Sequence, residues 1–224
     1  MAIAEFHEFA SRDDLVTRLA GDVLHHLANG DNRTLAVSGG GTPKNLFRHL
    51  SNRDFDWPSV SIIPVDERNV PPDHERSNER MIRELLIQNK AAGAGFHPLR
   101  SEDTPEGVFD MVSGLGLPPS VCLLGMGNDG HTASWFPKAD RLAEAVDPHT
   151  GQTAIAIEAP GAGEPRFTLT YPVVVHSGFL ALHIEGAEKR DAFEVAEGTG
   201  PSEDMPIRYL LRDPAVALHV YWAA

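Results

Sequence analysis

The residues with the clearest potential for chemistry are Asp129 and His131, in the run Gly-Met-Gly-Asn-Asp-Gly-His-Thr-Ala-Ser-Trp-Phe-Pro at positions 125–137. A carboxylate and an imidazole two positions apart suggest proton transfer, because histidine titrates near neutral pH. Three glycines, at positions 125, 127 and 130, would let a ligand approach the backbone closely. Taken alone, however, Asp-Gly-His could equally be a turn that leaves its histidine in solvent.

A second candidate stretch is Ser-Gly-Gly-Gly-Thr-Pro at positions 38–43, which follows a short apolar strand and precedes a helix. Its glycines free backbone N–H groups to point at a ligand, and the helix N-terminus adds positive potential. Together these features indicate an anion site, naturally for a phosphate. We expect Thr42 to cap the helix and Pro43 to take its first position. The spacing fits neither a Walker A loop nor a dinucleotide fingerprint, and a plain connecting turn stays the alternative.

Charged side chains stand at three other boundaries of predicted strands. Asp66-Glu67-Arg68 follows an apolar run, Arg166 opens another, and Lys189 lies at a strand-to-helix turn. A lysine at a helix start is unfavourable for the helix dipole, so a ligand is a plausible reason for Lys189. It could instead pair with Glu185 or Glu188, which would contribute little on a surface. As isolated features, the triplet and Arg166 are also typical of plain surface charges.

The elements that must position these residues alternate between strand and helix. Strands are predicted at 34–37, 60–65, 121–124, 153–157, 166–170, 179–184 and 215–222, and helices at 12–29, 44–50, 79–89, 104–113, 139–146, 186–196 and 206–212. Such alternation predicts a three-layer α/β domain, Rossmann-like, whose mostly parallel sheet is covered by helices on both faces. Ligands of such sheets bind outside the carboxyl ends of the strands. Pro64 predicts that its strand is an edge strand or ends early.

Composition bounds the class of protein. The chain has 224 residues and shows no repeat, linker or shift in composition, so we expect one domain over residues 1–224. Its one cysteine, Cys122, falls in a predicted central strand, where a small buried hydrophobe is expected. No apolar run is long enough to span a membrane, and residues 1–8 do not resemble a signal peptide. The expected location is the cytoplasm.

The formal net charge is −13 at pH 7, which argues against nucleic acid and anionic membrane surfaces as partners. It also poses a problem for the anion site suggested above. Local cations and backbone N–H groups must overcome an unfavourable overall field if the ligand is a phosphate.

Four motifs carry a family resemblance. The run at 125–137 resembles the signature of the 6-phosphogluconolactonases, which share a superfamily with the glucosamine-6-phosphate deaminases. The Ser-Gly-Gly-Gly-Thr-Pro run is similar to the phosphate loop of this family. Asp-Glu-Arg-x-Val-Pro from position 66, with Ser-Asn at 77–78, looks like its second signature, and Gly-x-x-Lys at 186–189 resembles its phosphate-binding lysine. The motifs occur in the family's order from Ser38 to Lys189.

The resemblance implies hydrolysis of 6-phospho-D-glucono-1,5-lactone to 6-phospho-D-gluconate, a step of the oxidative pentose phosphate pathway. His131 would be the general base on a water molecule, Asp129 would orient groups in the site, and loop N–H groups would hold the oxyanion. The residues expected to bind substrate or its phosphate are Gly40, Gly41, Thr42, Asp66, Arg68, Arg166 and Lys189. A lactone carbonyl is already electrophilic, so no metal or cofactor is expected, and relatives of this length suggest a monomer.

Two other functions remain open from the sequence. The deaminases continue their Asp-Gly-His motif with a glutamate five residues after the histidine, which serves ring opening, whereas this chain has Phe136 there. A catalytically silent sugar-phosphate sensor is the second alternative, and the presence of Asp129 and His131 argues against it. Trp135 departs from the leucine more usual in the family, and it could either reshape the site wall or fill the core.

Overall fold

The computed structural model describes residues 5–99 and 115–224 of the chain. In chain order, the strands among them are β1 (Glu5–Phe9), β2 (Thr34–Val37), β3 (Ser61–Pro64), β4 (Asp66–Arg68), β5 (Gly95–Phe96), β6 (Val121–Leu124), β7 (Ala154–Ile157), β8 (Arg166–Leu169), β9 (Phe179–Glu185) and β10 (Leu218–Ala223). The α-helices are α1 (Arg12–Asn29), α2 (Lys44–Ser51), α3 (Asn78–Leu85), α4 (Leu142–Ala145), α5 (Tyr171–Val175), α6 (Ala187–Glu197) and α7 (Arg208–Arg212).

Seven strands form a parallel sheet in the order β1-β10-β9-β6-β2-β3-β5. From β2 the chain adds β3 and β5 on one side, and β6 then returns to the other side of β2. The strand order therefore reverses between β2 and β6, and the loops after these two strands separate to leave a crevice. Such a switch point is where open α/β sheets bind ligands.

The two faces of this sheet bury separate apolar clusters. On one face, Leu35, Val37, Val121 and Leu123 pack against the buried side chains of α1, α2 and α3. On the other face, alternate residues of the same strands, such as Cys122, pack against α5, α6, α7 and the second sheet. Side chains of successive strand residues point to opposite faces, so both faces of these strands are apolar and buried. The predicted three-layer α/β fold with a mostly parallel sheet is confirmed.

A second sheet was not expected from the sequence. Strands β4, β8 and β7 form it in that order, and both pairings are antiparallel. Val65 joins the two sheets, because its N–H donates to the Val37 carbonyl (2.9 Å) and its own carbonyl accepts from the Leu169 N–H (2.8 Å). The triplet at 66–68, expected just beyond the end of a strand, is thus itself strand β4, opposite Arg166 and Thr168.

Pro64 shows how β3 meets this junction. It is the last residue of β3, and β5 pairs only with Ser61 and Ile62 at the strand's other end. The proline therefore stands where β2 is the only neighbour, and its missing N–H interrupts no ladder between two strands. Of the two expectations for this strand, the early end is confirmed and the edge position is wrong.

Two predicted helix boundaries need correction. Helix α2 begins at Lys44 with Pro43 as its cap residue, so the prediction of Thr42 as the cap was wrong by one position. Pro43 already has helical dihedral angles, and its carbonyl accepts from the Phe47 N–H (2.9 Å). Helix α3 ends at Leu85, four residues before the predicted end. The chain then turns, and Asn89 has a φ of 50°, a left-handed conformation that asparagine tolerates.

The other elements match their predictions to different degrees. Ser11 caps α1 as expected, since its side chain accepts from the Asp14 N–H (3.1 Å). The helix predicted at 139–146 is only the short α4, and the helix predicted at 104–113 lies outside the described residues. Strand β1 was not predicted. It adds a parallel edge strand beside β10.

Candidate active site

A pocket of about 410 Å³ lies beyond the carboxyl ends of β2, β6 and β9, beside the start of β8. Every predicted site residue except Asp129 contributes to its wall. The lining residues are Ser38, Gly39, Gly40, Gly41, Thr42, Asp66, Arg68, Arg76, Asn78, Gly125, Met126, Gly127, His131, Ala133, Phe136, Gly161, Ala162, Arg166 and Lys189. The four sequence motifs meet here because β9, β6, β2 and β3 are consecutive neighbours in one parallel sheet.

Asp129 and His131 are in direct contact, which the sequence had left open. The distance between His131 Nδ1 and Asp129 Oδ1 is 2.6 Å, and the His131 N–H also donates to this oxygen (3.2 Å). Burial opposes the charge on Asp129, but the hydrogen bond and charge of His131 outweigh it and hold the pKa of Asp129 below its usual range. An ionised carboxylate can only accept, so Nδ1 carries the hydrogen and Nε2 of a neutral ring is left as an acceptor.

Gly127 is the residue that makes room for this pair. A Cβ at position 127 would overlap both His131 Nδ1 and Asp129 Oδ1. The loop is closed by the Gly127 N–H, which donates to the His131 carbonyl (2.8 Å), and by the Gly130 N–H, which donates to the Gly127 carbonyl (3.1 Å). The glycines of this motif therefore serve close packing and a tight turn around the acid–histidine pair.

Phe136 forms the other neighbour of the imidazole. Its ring stacks on His131 with 4.2 Å between centroids, and the Arg166 guanidinium lies 5.4 Å from the Phe136 centroid. Phe136 is buried, so the histidine is held between a carboxylate and an aromatic ring. At the position where the deaminases carry a glutamate, this pocket has a side chain that cannot transfer a proton.

The glycine loop after β2 offers unused hydrogen-bond donors. Gly40 has a φ of 92°, a backbone conformation that residues other than glycine rarely adopt. Within the described parts of the chain, no protein acceptor is recorded for the N–H groups of Gly39, Gly40, Gly41 or Thr42. Backbone N–H groups left free beside a helix start form an anion site.

Asn78 ties this loop to the second motif. Its side chain packs so closely against Gly39 that a Cβ there would overlap it. The Asn78 amide donates to the Asp66 carbonyl (2.7 Å) and side chain (3.3 Å), and its oxygen accepts from Arg68 (2.9 Å). We did not single out Asn78 from the sequence, although it belonged to the Ser-Asn pair of the second signature.

Asp66 lies at the floor of the pocket and is buried. Its Oδ2 accepts from Ser134 Oγ (2.6 Å) and lies 3.7 Å from Arg166 Nη1. Ser134 is itself fully buried and lies within the run at 125–137. Asp66 thus connects the second motif, the His131 loop and β8.

Two arginines place buried donors at the pocket wall. Arg68 donates to the Arg76 carbonyl (2.5 Å), and Arg166 donates to the Ala162 carbonyl (2.8 Å). Their Nε atoms are buried, and no acceptor lies within reach in the described chain. Burial, Arg68 and Arg76 lower the pKa of Arg166 against the opposing effect of Asp66. A bound anion would satisfy such donors, and Arg166 is no plain surface charge.

Lys189 reaches the pocket from the first turn of α6. Burial lowers its pKa, while Asp129 and Glu188 act in the opposite direction. Glu185, one of the two partners considered from the sequence, lies 3.3 Å from Arg12 and 3.0 Å from His183 instead. The local charge of the pocket wall is therefore positive, although the whole chain is acidic.

Glu67, between the two predicted binding residues, has a structural role. Its carboxylate accepts from the N–H groups of Arg68 (2.7 Å), Asn78 (2.8 Å) and Glu79 (2.6 Å) and from Ser77 Oγ (3.1 Å). These hydrogen bonds satisfy N–H groups in the first turn of α3 that have no partner within the helix. Burial nevertheless raises the pKa of Glu67 above its usual value.

Metal-ligating side chains come together elsewhere. In the described chain, Glu5, His7 and His219 place ligand-type atoms within 4.8 Å of one another. They lie near the amino ends of β1 and β10, at the opposite end of the sheet from the pocket.

Two other residues of the pocket were not predicted from the sequence. Ser38 accepts a hydrogen bond from the Gly125 N–H (3.1 Å), and Arg76 had no sequence signal.

Trp135 fills the core. It is fully buried, its Nε1 donates to the Leu169 carbonyl (3.0 Å), and it packs near Tyr171. It is absent from the pocket lining, so the site-wall alternative was wrong.

No helix in the described ranges is long and apolar enough to cross a membrane.

Comparisons with known proteins agree in family. The model of the family described as glucosamine-6-phosphate isomerases/6-phosphogluconolactonase matches residues 10–222. A 6-phosphogluconolactonase of Rhizobium meliloti is 46% identical over 98% of this chain and 99% of its own, and one of Neisseria meningitidis is 36% identical over 97% and 98%. The crystal structure of a 6-phosphogluconolactonase from Shewanella baltica superposes with a TM-score of 0.93 at 33% identity, covering 99% of this chain and 98% of the other.

Proposed function

The chain belongs to the glucosamine-6-phosphate isomerase/6-phosphogluconolactonase family, and from this premise we propose that it hydrolyses 6-phospho-D-glucono-1,5-lactone to 6-phospho-D-gluconate. This reaction is a step of the oxidative pentose phosphate pathway. The observation that carries the proposal for the site is the 2.6 Å contact between Asp129 and His131 at the edge of a pocket with positively charged walls.

His131 is the general base in this proposal. Asp129 holds the Nδ1–H, so Nε2 accepts a proton from water as the water oxygen bonds to the lactone carbonyl carbon. The bond between that carbon and the ring oxygen then breaks, and protonated His131 returns the proton to the departing oxygen. General acid–base help of this kind contributes about 10²–10⁴-fold to a rate.

The oxyanion that forms in this step needs donors in fixed positions. The N–H of Gly39, which lines the pocket and has no recorded acceptor in the described chain, is the proposed source, because it needs no reorganisation when charge develops. Phe136 keeps the other side of the imidazole free of water through its stacked ring. Asp66 contributes by holding Ser134, Asn78 and Arg166 in place as well as by facing the substrate.

The phosphate would occupy the cationic wall of the pocket. Arg68, Arg166 and Lys189 supply charge, and the N–H groups of Gly40, Gly41 and Thr42 supply neutral donors. The buried Nε atoms of both arginines support this placement, because a phosphate oxygen would give them the acceptor they lack. Anchoring the phosphate positions the lactone carbonyl at the distant base.

The deaminase reaction is the nearest alternative within the family. It moves a proton between neighbouring carbons and opens a sugar ring, which needs a proton relay beside the base. Phe136 occupies that place, stacked on His131 and buried. Hydrolysis needs only one activated water, so the pocket favours the lactone.

The test is a direct comparison of two substrates. Purified protein should release acid from 6-phosphogluconolactone well above the spontaneous rate and release no ammonia from glucosamine 6-phosphate. A chelator should leave the hydrolysis rate unchanged. Ammonia release at a rate comparable to hydrolysis would overturn the assignment, and binding without turnover of either substrate would favour the sensor.

We also propose that the chain acts as a monomer in the cytoplasm, as a single domain without nucleic acid as a partner. Val195 is the one large hydrophobic side chain recorded as exposed in the described ranges, so no broad apolar patch there invites a partner. The acidic net charge of −13 disfavours polyanions. Sedimentation at several concentrations tests the monomer.

A further inference from the structure

A groove of about 500 Å³ lies between α2 and α3, next to the pocket. The groove and the pocket share Gly40, Gly41, Arg68, Arg76 and Asn78, so the two spaces adjoin at these residues. Five arginine and lysine side chains but only two glutamates line the groove. On a chain with a net charge of −13, this is a local concentration of positive charge.

Most of these cations already have partners. Arg80 lies 2.8 Å from Glu84, and Arg76 lies 3.1 Å from Glu164. Arg68 is held by a carbonyl and by Asn78. Two remain, because no carboxylate is recorded within salt-bridge distance of Lys44 or Arg48 in the described chain.

Lys44 stands where helix energetics disfavour it, and its neighbour Arg48 adds a like charge on the same helix face. They lie one turn apart on α2, where like charges repel each other across the helix face. Lys44 is the first residue of the helix, next to the positive end of its dipole, and the first turn contains no acidic residue. Among the residues that the structure describes, the Arg48 guanidinium hydrogen-bonds only to Asn45 Oδ1 (3.2 Å). Two unpaired cations that repel each other lower the stability of the helix and form no salt bridge in the described chain, which suggests a functional reason for them.

We propose that Lys44 and Arg48 form an entry site for the phosphorylated lactone. Their field collects the dianionic phosphate at the mouth of the groove, against the repulsion of the acidic chain, and passes it to Arg68 and the glycine loop. Charges that line a cleft raise association rates in this way. The inference rests on the proposed function, and it names two residues outside the pocket as determinants of substrate capture.

The test replaces both charges by Lys44→Gln with Arg48→Gln. Values of kcat/KM for 6-phosphogluconolactone should fall about three- to tenfold at low ionic strength, with kcat unchanged. The wild type should lose this advantage as salt rises towards 1 M, where the Debye length falls to about 3 Å. The melting temperature should stay within about 2 °C of the wild type, because removal of the repulsion and of the unfavourable Lys44 contact with the dipole is offset by loss of Arg48 from the last turn, where a cation is favourable. A merely structural role of the two side chains would lower it by more than that.

Two variants serve as controls. Arg53→Gln makes the same change of charge beyond the other end of α2, roughly 13 Å from Lys44 along the helix axis, and should leave kcat/KM within error. Lys44→Arg with Arg48→Lys keeps the charge but changes the side-chain geometry, and it should retain wild-type kcat/KM. Loss of activity in this charge-preserving pair would contradict an electrostatic role and indicate direct ligands.

A binding measurement separates this inference from the proposed function. Calorimetric titration with 6-phosphogluconate should give a weaker affinity for the double glutamine variant, by the same factor as kcat/KM, with a shallower salt dependence. Unchanged affinity and an unchanged salt slope would overturn the entry site even if the lactonase activity is confirmed. Absence of turnover in the wild type would contradict the proposed function, while the titration would still decide on the entry site.

Discussion

At the scale of single residues, His131 is defined by what holds each side of its ring. Asp129 takes Nδ1 at 2.6 Å, Phe136 covers one face, and the remaining nitrogen is left for the pocket. The imidazole therefore needs no rearrangement to act as a base. Lys189, by contrast, is partly buried and forms no recorded salt bridge with Glu185 or Glu188, the two partners considered from the sequence.

The general base is tested by His131→Asn. Asparagine keeps a polar side chain of similar size but cannot take a proton, so kcat should fall about 10²–10⁴-fold. The affinity for 6-phosphogluconate should stay near that of the wild type, because the phosphate contacts lie elsewhere in the pocket. Acid release is measured against the spontaneous rate, and near-wild-type turnover would rule out the role.

The phosphate contact is tested by Lys189→Ala. Loss of one charge-assisted hydrogen bond should weaken 6-phosphogluconate binding by about 1.5–3 kcal/mol. Any hydrolysis of unphosphorylated gluconolactone should be nearly unaffected, since that lactone has no phosphate to hold. Calorimetric titration with unchanged affinity would instead place Lys189 outside the phosphate site.

At the scale of elements, the loops matter more than the strands they follow. The loop after β6 closes on itself around Gly127, and the glycine loop after β2 interlocks with the side chain of Asn78 at the start of α3. Glu67 on β4 in turn holds the first N–H groups of α3. Three chain segments are thus fixed to one another beneath the pocket.

Gly127→Ala tests whether this packing sets the geometry of the base. The new methyl group would overlap both Asp129 and His131, so we expect kcat to fall by at least tenfold, the equivalent of about 1.4 kcal/mol. Gly151→Ala is the control, because nothing lies within 4 Å of a Cβ there and Gly151 does not line the pocket. Equal kcat for both variants would show that the pair tolerates displacement.

Glu67 provides a prediction on pH. Because burial raises its pKa in the folded state, its contribution to stability is fully present below its unfolded pKa of about 4.3 and is lost as pH rises through the folded value. The unfolding free energy of the wild type, relative to Glu67→Gln, should therefore decrease as pH rises from about 4. Urea unfolding across that range measures it. A relative increase with pH would contradict the sign.

At the scale of the whole molecule, the pocket is formed jointly by the parallel sheet and the antiparallel sheet. The parallel sheet brings four loops to one edge, and the antiparallel sheet adds Arg166 and carries Asp66 beneath them. Trp135 lies between the two, fully buried, with its indole bonded to the last residue of β8. The acidic surface of the chain and the cationic pocket are separate features of the same molecule.

Trp135→Leu tests whether this residue serves the core alone. Truncation of a fully buried tryptophan leaves a cavity and an unpaired Leu169 carbonyl, so the unfolding free energy should fall by about 2–4 kcal/mol. At a temperature where the variant is folded, kcat and KM should stay close to the wild type. A large change in KM with normal stability would return Trp135 to the site wall.

The sequence by itself determined the parallel sheet, the glycine loops and most of the strand and helix positions, because apolar runs, glycine and proline positions and helix starts are local signals. Eight of the nine residues predicted for the site line the pocket, but Asp66, Arg68 and Arg166 were expected from the family resemblance, since as isolated residues they are typical of plain surface charges. Parallel strands then bring their carboxyl ends to one edge without further information.

The tertiary structure alone decided the contacts between distant segments. The antiparallel sheet, the burial of Arg166, the interlock of Gly39 with Asn78 and the bond from Ser134 to Asp66 across 68 positions leave no periodic pattern in the chain. The choice of core over site wall for Trp135 belongs with them. Such contacts depend on which surfaces meet after the layers pack, and local sequence preferences do not specify which surfaces these are.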